Sequence, residues 1–159
     1  MLFKSIVLSY FDYCNIFWES CGEEIRNRLQ TLQNRAARVV TSSGYDRRSI
    51  DILDELGWDN LEARREKQLA TIMYKLKNQL LPDHLTQIFI STNAIHPLNL
   101  RNSIHNLFLP RPFTEPGKNS FHYRGAVLWN SLSNTVKGQT SLKLFLSDLY
   151  LQNHFFNYS

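Results

Sequence analysis

Residues 23–43 read EEIRNRLQTLQNRAARVVTSS, and this stretch decides the fold. Ile25, Leu29, Leu32, Ala36 and Val39 recur at spacings of four, three, four and three. At about 100° per residue these positions share one helical face. Arg28, Arg35 and Arg38 lie on one flank of that stripe and Arg26 on the other. The spacing predicts a helix with an apolar seam turned to a core and an arginine edge turned elsewhere. One reading of the edge is a row of solvated guanidinium groups. The other is a grip on a phosphate backbone.

On the N-terminal side, Phe3, Ile6, Val7, Tyr10, Phe11, Cys14, Phe17 and Trp18 recur at three and four and predict an amphipathic helix. It starts without a capping residue. That suggests a chain cut from something longer, although a helix also begins near a true terminus. Cys21-Gly22 ends it, and Glu23 and Glu24 suit the first turn of the next helix.

On the C-terminal side, Ser42-Ser43-Gly44-Tyr45-Asp46 reads as a turn. Ile50, Leu53 and Leu56 mark a short helix closed by Gly57. Asn60 caps a long helix over about 61–80, with a stripe of Leu61, Leu69, Ile72, Met73, Leu76 and Leu80. Arg65 falls inside that stripe, either with its stem snorkelling along the core, the favoured reading, or as a paired buried charge. Pro82 and Asp83 open another short helix over 84–89.

From 91 to 118 the character changes, for Pro97, Pro110, Pro112 and Pro116 sit here and exclude helix over most of the segment. Residues 106–109 read as one strand, an arm of a hairpin. Arg101, His105, Arg111 and Lys118 are spread through the segment, which suits either an arm on a basic surface or an ordinary loop. Asn119 or Ser120 caps a helix carrying Phe121, Gly125, Leu128, Trp129 and Leu132. Gly125 in its interior costs about 1 kcal/mol against alanine, which close packing on another element would explain. Residues 131–139 read as a loop. Ser141 caps a last helix with Leu142, Phe145, Leu146 and Leu149, and the tail over 153–159 is expected to fray. The expected fold is all-α, a multi-helix bundle with a proline-rich extended arm or small β-hairpin around 97–118. Its expected parts are a helical region over 1–90, a linker over 91–118 and a helical segment over 119–159 packing on the first.

A chain of 159 residues is about one domain. At that length it buries roughly 70% of its unfolded surface and needs no disulfide or metal staple. Apolar residues at 43% and aromatics at 13% argue for a folded core and against disorder. A net charge of +4 and a pI near 9.2 permit nucleic-acid binding without requiring it. Cys14 and Cys21 have no second pair and no nearby histidine, so neither zinc nor a disulfide framework is expected. Lys4, Asp12 and Glu19 break the longest apolar runs, and the first 18 residues lack a small-residue cleavage site. Neither a membrane span nor a signal peptide is expected.

The sequence holds no Gly-rich phosphate loop, no G-x-S-x-G and no H-E-x-x-H. His84, His96, His105, His122 and His154 are scattered. Asp51 and Glu55, one helical turn apart, read as a solvated face and not a metal site. No catalytic residue, metal ligand or cofactor is therefore expected. An enzyme reading survives only if the chain completes a site supplied by another chain.

The order of motifs is more specific than any one of them. Tyr10-Phe11-Asp12-Tyr13-Cys14 with Trp18 comes first, then Leu29-Gln30-Thr31-Leu32-Gln33-Asn34-Arg35-Ala36-Ala37-Arg38. Leu56-Gly57-Trp58, Arg64-Arg65, Gln68-Leu69-Ala70-Thr71 and Met73-Tyr74-Lys75 follow. Leu100-Arg101-Asn102-Ser103, Leu109-Pro110-Arg111-Pro112 and Ser120-Phe121-His122-Tyr123-Arg124-Gly125-Ala126-Val127-Leu128-Trp129-Asn130-Ser131-Leu132 complete the series. In this order the chain resembles, from about residue 6 to 149, the C-terminal part of reverse transcriptases from jockey-like, LINE-like non-LTR retrotransposons. Ser9 stands where many relatives carry proline.

The resemblance implies a thumb and post-polymerase segment without an active site, since the sequence has no F-x-D-D or Y-x-D-D string. It implies that Arg28, Arg35 and Arg38 face the backbone of a template–primer duplex, RNA or RNA–DNA. Asn34 would make polar contacts on the same side, Gln33 would cap the packing seam instead, and Arg124 would be a further contact. A few arginine–phosphate pairs give salt-sensitive, sequence-blind binding. The alternative role for Arg124 is a structural bond to a helix end or loop carbonyl. The alternative is a helical protein-interaction or structural module, whose apolar surface packs with itself or with the missing palm.

Overall fold

The computed structural model describes residues 9–10, 13, 21–95 and 106–156, with side chains to residue 149. The described residues are mainly helical and no sheet forms among them, so the fold is all-α. The described helices are α1 (Glu23–Thr41), α2 (Ser49–Leu56), α3 (Leu61–Lys77), α4 (Asp83–Thr86), α5 (Thr92–Ile95), α6 (Glu115–Lys118), α7 (Phe121–Ser131), α8 (Asn134–Lys137) and α9 (Leu142–Phe156). The chain forms two compact units, Met1–Glu66 and Lys67–Ser159. The amphipathic helix expected over 3–18 lies outside the described residues, apart from Ser9, Tyr10 and Tyr13; the Tyr13 N–H donates to the Ser9 carbonyl at 3.0 Å, the four-residue spacing of a helix.

In the first unit α1 packs on α2. Ala37, Ile52, Leu53 and Trp58 form the core, with Leu56 against it. Ala37 carries nothing beyond its Cβ, which lets the two helices approach. Gly57 closes α2 at φ 60°, ψ 42°, a left-handed conformation that glycine adopts without steric cost. Asn60 caps α3 as expected, its Oδ1 accepting the Ala63 N–H at 2.7 Å.

The seam of α1 is not where the apolar spacing put it. Ile25, Leu32 and Val39 are 46%, 52% and 79% exposed, while Gln33 is fully buried beside Ala37. The buried face is rotated about a third of a turn from the apolar stripe, by the 100° step per residue. The physical reason is an amide cluster. Gln33 Nε2 donates to the Asp59 carbonyl at 2.9 Å, and Gln30 Oε1 accepts the Leu61 N–H at 2.9 Å. Gln30 Nε2 in turn donates to Gln33 Oε1 at 2.8 Å and to Asn34 Oδ1 at 3.0 Å. Buried amides with partners are stable inside a protein. Here they also serve the backbone between α2 and α3. A similar shift occurs in α2, where Ile52 is buried and the expected Ile50 is exposed. Arg65 is 8% exposed and engaged in an interaction, so it does not carry its head into solvent as snorkelling requires.

In the second unit Leu69, Ala70, Met73, Tyr74 and Leu76 of α3 are buried, as are Trp129, Phe145 and Leu149. Leu80, expected in the same stripe as Leu69, lies beyond the end of α3 and is exposed. The Tyr74 and Phe145 rings are 4.7 Å apart, and Trp129 stacks on Phe145 at 6.3 Å. Gly125 sits under this packing: a Cβ there would lie 2.8 Å from Met73 Sδ and 3.1 Å from Phe89 Cζ. That close approach explains a glycine inside α7. Ser120 is the residue that caps α7, accepting the Tyr123 N–H at 3.3 Å.

The strand expected over 106–109 is a single antiparallel bridge between Leu107 and Ser91. Asn130 of α7 completes it, donating Nδ2 to the Leu107 carbonyl and accepting the Leu107 N–H, both at 2.8 Å. The proline-containing segment is less extended than expected: α5 and α6 are single helical turns, and Pro116 is accommodated in the first turn of α6. Pro97 and the rest of 96–105 lie outside the described residues. The loop expected over 131–139 contains α8, capped by Ser133, whose Oγ accepts the Val136 N–H at 3.4 Å.

Candidate nucleic-acid interface

The basic edge belongs to α1. Glu23 and Glu24 sit in its first turn and Arg38 in its last, a charge order that suits the helix dipole. Its C-terminus closes on Ser42 at φ 51°, with the Ser43 N–H donating to the Arg38 carbonyl at 3.0 Å.

The expected arginine trio divides in two. Arg28 and Arg35 are exposed, and neither side chain makes a hydrogen bond or ion pair among the described residues. They are seven residues apart, about 10 Å along the axis at 1.5 Å per residue. Arg38 is half-buried and occupied. Its Nη2 donates to the Arg47 carbonyl at 3.0 Å, and its guanidinium lies 5.3 Å from the centroid of the Tyr45 ring. A guanidinium that stacks on an aromatic face while bonding a turn carbonyl fastens the turn between α1 and α2.

Asn34 is half-buried and accepts from Gln30, so it belongs with the amide cluster. Arg124, on α7, is half-buried and engaged in an interaction of its own. Arg101 and His105 lie outside the described residues, and Lys118 pairs with Glu115 at 2.6 Å. That bond and the Glu115 charge raise the Lys118 ammonium above its ordinary value.

Two residues escaped the sequence reading. Gln30 holds the first N–H of α3 from a distance of thirty-one residues, and no local signal reveals such a bond. Arg48, which precedes α2, is exposed, and its side chain makes no hydrogen bond or ion pair among the described residues. Its neighbour Arg47 is tied to Glu55 at 2.8 Å. The run Asp46-Arg47-Arg48 after a glycine turn was the available signal.

Among the described residues no cluster of histidine, cysteine, aspartate or glutamate has the grouping of a metal site. No described helix is long and apolar enough to cross a membrane. Comparison with protein-family models, curated proteins and solved structures finds no match to this chain.

Proposed function

We propose that the chain is a non-catalytic, thumb-like segment of a retrotransposon-type RNA-directed DNA polymerase that contacts the backbone of a template–primer duplex. The motif order described above supports the family, and one observation carries the contact. Arg28 and Arg35 project from the same edge of α1, exposed and uncommitted to any other described group. Two guanidinium groups held on one rigid helix pair with phosphate oxygens bidentately and without reference to sequence. Arg38 fixes the turn that follows this helix, and Asn34 belongs to the amide cluster.

The test is binding of an RNA–DNA duplex across a salt series. Replacing Arg28 and Arg35 together by alanine reduces the slope of log affinity against log salt by about two, one per lost phosphate contact. Arg38→Ala leaves the slope nearly unchanged, since its guanidinium is spent inside the protein. Equal slopes for wild type and the double variant would reduce the edge to a solvated face. A second reading, a protein-interaction module, is favoured by the outward apolar residues of the same helix.

A further inference from the structure

Ile25, Leu32 and Val39 of the α1 apolar stripe turn outward, with Leu29 and Ala36 half-buried between them, and the spacing says what fits this face. Ile25, Leu29, Leu32, Ala36 and Val39 alternate by four and three, the repeat by which one helix packs along another. A sheet edge or a loop has no such period. Ile25, Leu32 and Val39 are all at least 46% exposed on the described protein, and Val40 beside them is 53% exposed. In that register Arg28 and Arg35 take the position immediately flanking the seam, where the charges of a partner helix are selected.

A second copy of the chain is a poor occupant. Antiparallel pairing opposes Arg28 to Arg35 of the other copy, like charges at close range. Parallel pairing sets Arg28 opposite Gln33 and Arg35 opposite Val40, leaving both guanidinium groups without an anion. Glutamate or aspartate at the flanking positions of the incoming helix answers both arginines in either direction.

We infer that α1 is a docking surface for an amphipathic helix of a partner protein, with apolar residues at heptad spacing and acidic residues beside them. This goes beyond the nucleic-acid reading, although both use Arg28 and Arg35. The acidic helix and a phosphate backbone therefore compete for the same edge, and only the helix needs the seam. With fewer than three heptads in contact the complex belongs to the weak, exchangeable class.

The experiment uses the full chain and two fluorescein-labelled 21-residue peptides, roughly three heptads long. Both carry leucine and isoleucine at the seam positions, one with glutamate and the other with lysine at the flanking positions. The glutamate peptide should bind at least tenfold more tightly than the lysine peptide. Leu32→Asn should weaken it at least tenfold while leaving duplex binding unchanged. The double change Arg28→Glu and Arg35→Glu should reverse the preference toward the lysine peptide. Loss of duplex binding with peptide binding intact would remove the nucleic-acid reading alone. The proposal is overturned if both peptides bind alike, or if Leu32→Asn has no effect on the glutamate peptide. It is overturned equally by sedimentation of a wild-type dimer that Leu32→Asn dissolves, which would make a second copy the occupant. Failure of both peptides, with Leu32→Asn lowering the chain's own stability, would mean that the chain covers its own seam.

Discussion

Truncating Gln33 to alanine should destabilise the first unit more than truncating its neighbour Leu32, the reverse of the order that hydrophobicity suggests. Gln33 is fully buried and its Nε2 satisfies the Asp59 carbonyl. The same side chain also accepts from Gln30 Nε2. Removing it takes the Gln33 partner from the half-buried Asp59 carbonyl and one of two acceptors from Gln30, whose own Oε1 holds the start of α3. An orphaned buried polar group costs about 1–3 kcal/mol. The better helix propensity of alanine returns only a few tenths of that. The expected net loss is about 2 kcal/mol. Leu32 is 52% exposed, so its truncation removes only partial burial and should cost below about 1 kcal/mol. Urea denaturation followed by far-UV circular dichroism and tryptophan fluorescence measures both. A cycle pairing Gln30→Ala with Gln33→Ala should show coupling of about 0.5–3 kcal/mol, as expected for side chains in one network. If the apolar stripe were the packed face, Leu32→Ala would cost about 2–5 kcal/mol and Gln33→Ala close to nothing. That outcome would refute the rotated helix and everything argued from it.

Gly125→Ala places a methyl group 2.8 Å from Met73 Sδ and 3.1 Å from Phe89 Cζ, in a region where Met73 and Phe89 are both buried. Overpacking of about 1–3 kcal/mol should outweigh the roughly 1 kcal/mol gained in helix propensity, giving a lower urea midpoint; an unchanged or raised midpoint would contradict the close approach. Asn60→Ala should cost about 1 kcal/mol by removing the cap of α3, and Asn60→Ser should recover most of it in the same titration. Lys137 donates to Asn106 Oδ1 and the Asn130 carbonyl, and burial, with Lys77 nearby, lowers its ammonium below the ordinary 10.5. In the window between that lowered value and 10.5 the unfolded chain binds more protons, so stability should rise with pH there. The rise should be absent in Lys137→Met, and an NMR titration placing Lys137 at or above 10.5 would count against it.

Most of the helices were legible in the sequence because their ends carry local chemistry. Asn60, Ser120 and Ser141 announce helix starts, and Gly57 announces an end. The tolerated glycine at 125 was legible too, since its cost implied the contact with Met73 and Phe89. The orientation of α1 was not legible. Periodicity reports which residues share a face but not which face meets the core, and the answer depended on a bond from Gln33 to a carbonyl twenty-six residues away. The division of the arginines was hidden for the same reason. Arg38 shares an edge with Arg28 and Arg35 on the helix, but a turn nine residues on claims it. Short helical turns such as α5, α6 and α8 hold too few residues to show a period.

Asn130 gives Leu107 on one side what a neighbouring strand would have given, while Ser91 and its flanking residues serve the other side. The Phe108 N–H donates to the Ile90 carbonyl at 2.8 Å, and the Thr92 N–H donates to the Asn106 carbonyl at 3.1 Å. An extended stretch with open backbone groups invites another chain to lie alongside it, the first step of aggregation. One carboxamide on a helix shuts that invitation, because the groups a stranger would need at Leu107 are already taken. On the Leu107 side of this bridge, one asparagine thus keeps a sticky edge closed.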